Sequence, residues 1–126
     1  MPLPGSLGHL VVDCADPDRL AAFWCEMLGV EVQSRWNQYV ILAPHQEGAP
    51  GLAFQQVPEA KTTKNRVHLD FTVDDLAVAT ELILGAGGSQ VDQHEQGGVI
   101  ARIMADPEGN EFCLVDLSGA GTDAGH

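Results

Sequence analysis

The sequence predicts an α+β fold made of two βαβββ modules, and three observations support that prediction. The chain has 126 residues, 44% of them hydrophobic and 19% charged, which is enough apolar material for one folded domain. The segments that begin at Gly8 and Val67 share one order: histidine, apolar strand, acidic turn, amphipathic helix and glycine stop. Short apolar runs separated by turn residues then follow each helix. We therefore predict a single domain over residues 6–117, with module one at 6–57, a linker at 58–66, module two at 67–117 and a flexible tail at 118–126.

Module one opens with a strand predicted at Leu7–Asp13. We expect Asp16 to cap a helix that begins at Pro17, because an aspartate accepts from unpaired backbone amides and a proline has none. Gly29 should end that helix. The predicted buried stripe of the helix is Leu20, Phe23, Trp24, Met27 and Leu28, and the later strands are Glu31–Gln33, Gln38–Leu42 and Leu52–Gln56.

Module two repeats this plan, with a strand predicted at Val67–Val73 and a helix capped by Asp74. The glycines at 85, 87 and 88 should end this helix. The segment from Asp106 to Asn110 has proline and glycine at turn positions, so it should join two strands as a hairpin. The predicted buried helix residues are Leu76, Ala79, Leu82 and Ile83, and the later strands are Val91–Gln93, Val99–Ala105 and Glu111–Leu117.

Charge and cysteine content exclude several classes of function. Six basic residues against 18 acidic ones give a net charge of −12, which disfavours binding to nucleic acid or to an anionic membrane surface. No apolar run approaches the length of a membrane span, and the N-terminal residues lack the basic start of a signal peptide. Three cysteines without a CxxC pair suggest free thiols in a reducing compartment, so we expect a cytoplasmic protein.

Two histidines, His9 and His68, occupy equivalent positions in the two modules. If the modules pack about a pseudo-twofold axis, both imidazoles would reach one point and begin a divalent-metal site. The alternative is that each is an ordinary strand histidine bonded to the backbone. On the last strand, Glu111 and Cys113 share a face and offer a carboxylate or a thiolate. A solvent-facing Glu111 and a buried, unligated Cys113 are the simpler interpretations.

Aromatic and amide side chains indicate where a small molecule would bind. Trp36 lies in a polar stretch, SRWNQY, where its indole could either stack on a flat ligand or pack at a strand edge. Gln55 or Gln56 could offer an amide oxygen to a metal or a hydrogen bond to a substrate. The predicted ligand-binding residues are Trp36, Phe54, Gln56 and Cys113.

Three segments together resemble one known superfamily. They are GHLVVDCADPDRLAAFWCEMLGVEV, HLDFTVDDLAVATELILGAGG and MADPEGNEFCLVD. The pattern is similar to the vicinal oxygen chelate superfamily, which includes glyoxalase I, fosfomycin-resistance enzymes, extradiol dioxygenases and bleomycin-resistance proteins. The resemblance covers about residues 6–117, and within the superfamily the chain looks most like the glyoxalase-like domain proteins of bacteria. It implies that the modules form a cup-shaped open barrel, commonly within a homodimer.

The same resemblance implies which residues would hold a metal. His9 and His68 match two of the family's ligand positions, and Cys113 stands where the last strand usually carries a glutamate. The glutamate of the first module in glyoxalase I falls near Ala53 to Gln55, where this chain has no carboxylate. Glu111 is then the carboxylate that could complete the set.

Three functional interpretations follow from the resemblance. The first is a protein that binds a small organic molecule in a central cavity, with a degenerate or weak divalent-metal site. The second is a metal-dependent lyase or isomerase of the glyoxalase type, and the third is a metal-free protein that sequesters a drug, like the bleomycin-resistance proteins. The implied cofactor is a zinc, nickel, manganese or iron ion, or none. The implied partners are the small molecule and a second copy of the chain.

Overall fold

The chain divides into two compact units, and the division between Lys61 and Thr62 falls inside the predicted linker. The structure is a computed structural model that describes residues 2–119. Residues 120–126, most of the predicted tail, lie outside the described residues. Each unit has one helix and one four-stranded sheet in the order βαβββ, which confirms the predicted α+β class and its two modules.

Unit 1 is a mixed sheet with one helix packed against it. Its elements are β1 His9–Cys14, α1 Pro17–Leu28, β2 Val32–Trp36, β3 Tyr39–Leu42 and β4 Gly51–Gln56. The strand order is β1-β4-β3-β2, with β1 parallel to β4 and the other neighbours antiparallel. The parallel pair requires a long crossover, which in this unit contains α1, β2 and β3.

Unit 2 repeats this topology. Its elements are β5 Leu69–Thr72, α2 Leu76–Gly85, β6 Ser89–Gln96, β7 Val99–Ala105 and β8 Glu111–Asp116. The strand order is β5-β8-β7-β6, and β5 is parallel to β8. Neither α1 nor α2, the helices of the described residues, is long and apolar enough to cross a membrane.

Helix α1 begins and ends where the sequence predicts. The Asp16 carboxylate accepts a hydrogen bond from the backbone amide of Arg19 at 3.1 Å, and Gly29 leaves the helix in the left-handed region at φ 66°. Leu20, Phe23 and Trp24 are buried where α1 packs on β3 and β4. This packing places α1 on one face of the sheet and leaves the other face for His9.

Helix α2 corrects two predictions. Its N-cap is Asp75 rather than Asp74, since the Asp75 carboxylate accepts from the backbone amide of Val78 at 3.0 Å. Leu82 is 59% exposed instead of buried, because a helix turns about 100° per residue and its inward face follows another residue set. That set is Leu76, Thr80 and Ile83, and the Thr80 hydroxyl donates to the Leu76 carbonyl at 2.7 Å.

The hairpin turn between β7 and β8 is organised by one buried aspartate. The Asp106 carboxylate accepts from the backbone amides of Glu108 at 2.9 Å and Asn110 at 3.0 Å. Gly109 supplies the positive φ, 86°, that the turn needs. The turn sets the register in which β8 lies beside β7, and so places Glu111 at the first position of β8.

Candidate metal centre

One face of the unit 2 sheet collects several side chains that could bind a metal. Strand side chains alternate between faces, and the register pairs Asp70 on β5 with Cys113 on β8. His68 is two residues before Asp70, and Glu111 is two residues before Cys113, so all four lie on this face. The opposite face carries Phe71 and Phe112, whose rings meet edge to face.

Three of these side chains converge. His68 Nδ1 lies 2.9 Å from Asp70 Oδ1, and Cys113 Sγ lies 3.9 Å from the same nitrogen. One ligand atom from each residue, an imidazole nitrogen, a carboxylate oxygen and a sulfur, lies within 4.8 Å of the other two. We call His68, Asp70 and Cys113 the unit 2 triad. His68 and Asp70 are exposed, whereas Cys113 is buried in the sheet, so the triad is open to solvent on one side.

Burial and the net charge around the triad favour the protonated thiol of Cys113. Burial raises the pKa of the Cys113 thiol above its ordinary value, and the nearby carboxylates of Asp70 and Glu111 raise it further. A thiol in this state is a poor nucleophile at neutral pH. A bound cation would reverse the balance, because it offsets the carboxylates and favours the thiolate.

Glu111, predicted as a metal ligand, forms hydrogen bonds with two residues of the segment before β5. Lys64 Nζ donates to Glu111 Oε1 at 2.6 Å, and Asn65 Oδ1 accepts from the Glu111 backbone amide at 3.4 Å. The hydrogen bond and charge of Glu111 raise the pKa of the Lys64 ammonium, so Lys64 stays charged. Glu111 therefore lies on the face of the triad but is paired with a lysine.

His9, the counterpart of His68, lies in unit 1 among different neighbours. Its ring packs over Gly51, where an added Cβ would stand 3.5 Å from His9 Cδ2. The residues that correspond to Asp70 and Cys113 are Val11 and Ala53, which pair across β1 and β4. The shared site of His9 and His68 stays a prediction, since the two histidines belong to different units.

The same face of unit 1 carries an aromatic platform. Trp36 and Tyr39 stack with ring centroids 5.7 Å apart and an interplanar angle of 19°, and Trp36 is 64% exposed. The register places Tyr39 beside Gln55 and Gln55 beside Asp13, so these four residues form one row across the sheet. We call Trp36, Tyr39, Gln55 and Asp13 the unit 1 row.

Two predicted ligand-binding residues lie elsewhere, because strand alternation puts them on the helix side of β4. Phe54 has no exposed surface, and its Cα partners are Val12 and Val40, which face α1. Gln56 pairs with the buried Cys14 on that side as well. Gln55, not Gln56, shares the face of Trp36.

Sequence reasoning missed Asp70, Tyr39 and Lys64 as neighbours of the candidate residues. The HLD motif contained the first signal, since residues two apart in a strand share a face. The WNQY segment contained the second, because a two-residue turn with Asn37 at φ 52° brings Trp36 opposite Tyr39. The Lys64–Glu111 pair joins residues 47 positions apart, so no local pattern could have found it.

Comparison with known proteins identifies the family. The chain matches the glyoxalase-like domain family over residues 9–115. It belongs to that family. The match spans both modules, and it confirms the resemblance to the vicinal oxygen chelate superfamily. No curated protein matches the chain.

Solved structures share the fold at low sequence identity. A glyoxalase/bleomycin resistance protein/dioxygenase family enzyme from Burkholderia phytofirmans PsJN is 17% identical, with 89% of this chain and 98% of that chain covered and a TM-score of 0.73. A similar protein from Nocardioides is 12% identical, with coverages of 92% and 85% and a TM-score of 0.71. A glyoxalase-related enzyme from Fulvimarina pelagi is 19% identical, with coverages of 90% and 88% and a TM-score of 0.69. These likenesses establish the fold of this glyoxalase-like chain.

Proposed function

We propose that this glyoxalase-like protein binds a small organic molecule beside a weakly held divalent metal ion, with zinc as the preferred ion. The observation that supports this most directly is the convergence of the unit 2 triad within 4.8 Å. Imidazole and thiolate ligands favour zinc over magnesium or calcium. Three protein ligands also leave a coordination position for a ligand oxygen or for water.

The spacing of the triad suits a metal after small movements. Around a tetrahedral zinc ion, neighbouring nitrogen, oxygen and sulfur ligands are separated by roughly 3.3–3.7 Å. The His68–Asp70 distance of 2.9 Å and the Cys113–His68 distance of 3.9 Å lie on either side of that range. Two of the three side chains are exposed and can adjust, so the fit requires no change in the sheet.

A Cys–His–Asp nucleophilic relay is a poorer interpretation of the same residues. In such a relay the cysteine and the aspartate contact opposite nitrogens of the imidazole. Here both Asp70 and Cys113 approach Nδ1 of His68. The raised pKa of Cys113 also opposes thiolate formation without a cation.

A metal-dependent lyase or isomerase is the catalytic form of this proposal. When bound, the ion would act as a Lewis acid on a carbonyl or enolate oxygen. In this chain, His68 and Asp70 would hold the ion through a ring nitrogen and a carboxylate oxygen. Cys113 would release its thiol proton to solvent when its sulfur binds the ion. A screen of 2-oxo aldehyde adducts, epoxides and catechols with zinc-loaded protein, followed by NMR, tests this form.

Zinc calorimetry tests the metal site. Chelator-treated protein is titrated with zinc and compared with Cys113→Ser, using Cys25→Ser as the matched control because Cys25 is a half-buried thiol in unit 1. We expect one zinc ion per chain in the wild type and in the control, and none in Cys113→Ser. Equal binding in all three proteins would refute the triad as the site.

A metal-free binding protein is the second candidate, supported by the unit 1 row. The exposed indole of Trp36 offers a flat surface, and Asp13 supplies negative charge in the same row. We expect a planar aromatic cation such as N-methylquinolinium to quench the fluorescence of Trp24→Phe, in which Trp36 is the remaining tryptophan. Quenching that is equal for a naphthalenesulfonate anion would contradict recognition of a cation.

A further inference from the structure

Lys64 pairs with Glu111, a carboxylate on the same sheet face as the unit 2 triad. Glu111 lies on the face of the triad, two residues before Cys113, and its side chain is 20% exposed. A carboxylate in this place would be a natural fourth ligand for a cation. The Lys64 ammonium occupies its Oε1 oxygen at 2.6 Å instead.

Two consecutive residues of the segment before β5 hold this arrangement. Lys64 binds the Glu111 carboxylate, while Asn65 Oδ1 accepts from the Glu111 backbone amide. Lys64 also interacts electrostatically with Cys113 and with Asp92 on β6. The ammonium group therefore lies among the acidic groups of the face, where an added cation would otherwise be attracted.

We propose that Lys64 is a specificity-determining residue of the metal site, because its ammonium group holds Glu111 away from the ion bound by His68, Asp70 and Cys113. This inference rests on the proposed zinc site. While Glu111 is paired with Lys64, the ligands of the ion are one imidazole, one carboxylate and one thiolate, a combination that suits zinc. If Glu111 were released, the ion would have two carboxylate ligands, and the larger share of oxygen ligands would favour manganese.

The experiment measures zinc and manganese affinities in the same set of full-length variants. Lys64→Met removes the ammonium, and Lys64→Arg keeps a cation that can still pair with Glu111. Lys64→Met/Glu111→Gln removes the released carboxylate as well. Arg66→Met is the matched control, since it removes one positive charge from the same segment. Circular dichroism and thermal melting of each variant verify that it is folded.

We expect Lys64→Met to raise manganese affinity by about tenfold and zinc affinity by about threefold at most. Lys64→Arg and Arg66→Met should keep the wild-type preference, and Lys64→Met/Glu111→Gln should lose the manganese gain. Equal gains for both ions would indicate a general charge effect and overturn the role of Lys64. Zinc binding by the wild type with no manganese gain in Lys64→Met would overturn it too, leaving the zinc site intact. Failure of every protein to bind either ion would refute the zinc site and, with it, this inference.

Discussion

The two units share a backbone plan but differ in the chemistry of the sheet face opposite the helix. In unit 2, His68 is followed at the next same-face position by Asp70, and Cys113 lies across from Asp70. In unit 1 the same positions around His9 hold Val11 and Ala53. Three equivalent backbone positions thus carry an imidazole, a carboxylate and a thiol in one unit, and an imidazole with two apolar side chains in the other.

This difference shows that one repeated strand register can carry different side-chain chemistry in the two units. The parallel pairing of first and last strands brings three side chains together in both units, because the register is the same. The kind of ligand that these three side chains could bind then depends on their residue types. Unit 2 has a nitrogen, an oxygen and a sulfur atom close enough together to hold a metal ion, whereas unit 1 has the exposed indole of Trp36 stacked on Tyr39.

The largest expected effect concerns the two histidines. We expect His68→Ala to weaken zinc affinity by at least about 100-fold, since it removes a ligand rather than a supporting group. The loss of zinc affinity in His9→Ala should be smaller than that in His68→Ala by a factor of about ten or more, because the neighbours of His9 in its own unit are Val11 and Ala53. Calorimetry of both variants with zinc measures the ratio. Equal losses would contradict the asymmetry between the units.

The equivalent positions of unit 1 should accept the triad residues of unit 2. In a His68→Ala/Cys113→Ala background, Val11→Asp with Ala53→Cys adds a carboxylate and a thiol next to His9 at the equivalent register positions. We expect this variant to recover zinc binding that the background lacks, within about tenfold of the wild type. Equilibrium dialysis with zinc quantifies the recovery. A folded variant that remains unable to bind zinc would mean that register and residue type do not suffice.

The ends of the two helices differ in a way that predicts unequal stability losses. An alanine Cβ at Gly88 would meet Ile83 Cγ2 at 2.5 Å and the Ala105 carbonyl oxygen at 2.8 Å, whereas nothing lies within 4 Å of one at Gly29. We expect Gly88→Ala to lower the free energy of unfolding by about 3 kcal/mol through overpacking. Gly29→Ala should cost about 1 kcal/mol, from the left-handed backbone alone. Urea denaturation measures both values, and a larger loss for Gly29→Ala would contradict this ranking.

The smallest expected effect lies at the ends of the last strands, where unit 2 has Asp116 and unit 1 has Gln56. The Asp116 carboxylate accepts from the Ser118 backbone amide at 2.9 Å, and hydrogen bonding to Ser118 lowers the pKa of Asp116. A lowered folded-state pKa adds stability above the unfolded value of 3.8, and this stability disappears as pH falls through the folded pKa. The melting temperature of Asp116→Asn should therefore be slightly below that of the wild type at pH 6 and equal to it near pH 2. A constant difference across this range would refute the assignment.

Local sequence signals were sufficient for the modules but not for the site. The Asp16 cap, Pro17 and Gly29 act within one helix, so the bounds of α1 follow from the sequence. β6 extends over Ser89–Gln96, beyond the predicted Val91–Gln93, because an edge strand with polar residues on both faces lacks an alternating pattern. Asp70 next to Cys113 depends on a parallel register, and Lys64 next to Glu111 depends on the path of the linker. Such contacts are set by tertiary packing.

The absorption spectrum of the cobalt-substituted protein reports directly whether the Cys113 sulfur binds the metal. Cobalt(II) takes zinc ligand sets, and a thiolate bound to it produces a sulfur-to-metal charge-transfer band. We expect one equivalent of cobalt to give this band in the wild type and in Cys25→Ser, and Cys113→Ser to lack it. A wild-type spectrum without the band, or an unchanged band in Cys113→Ser, would contradict metal binding by His68, Asp70 and Cys113.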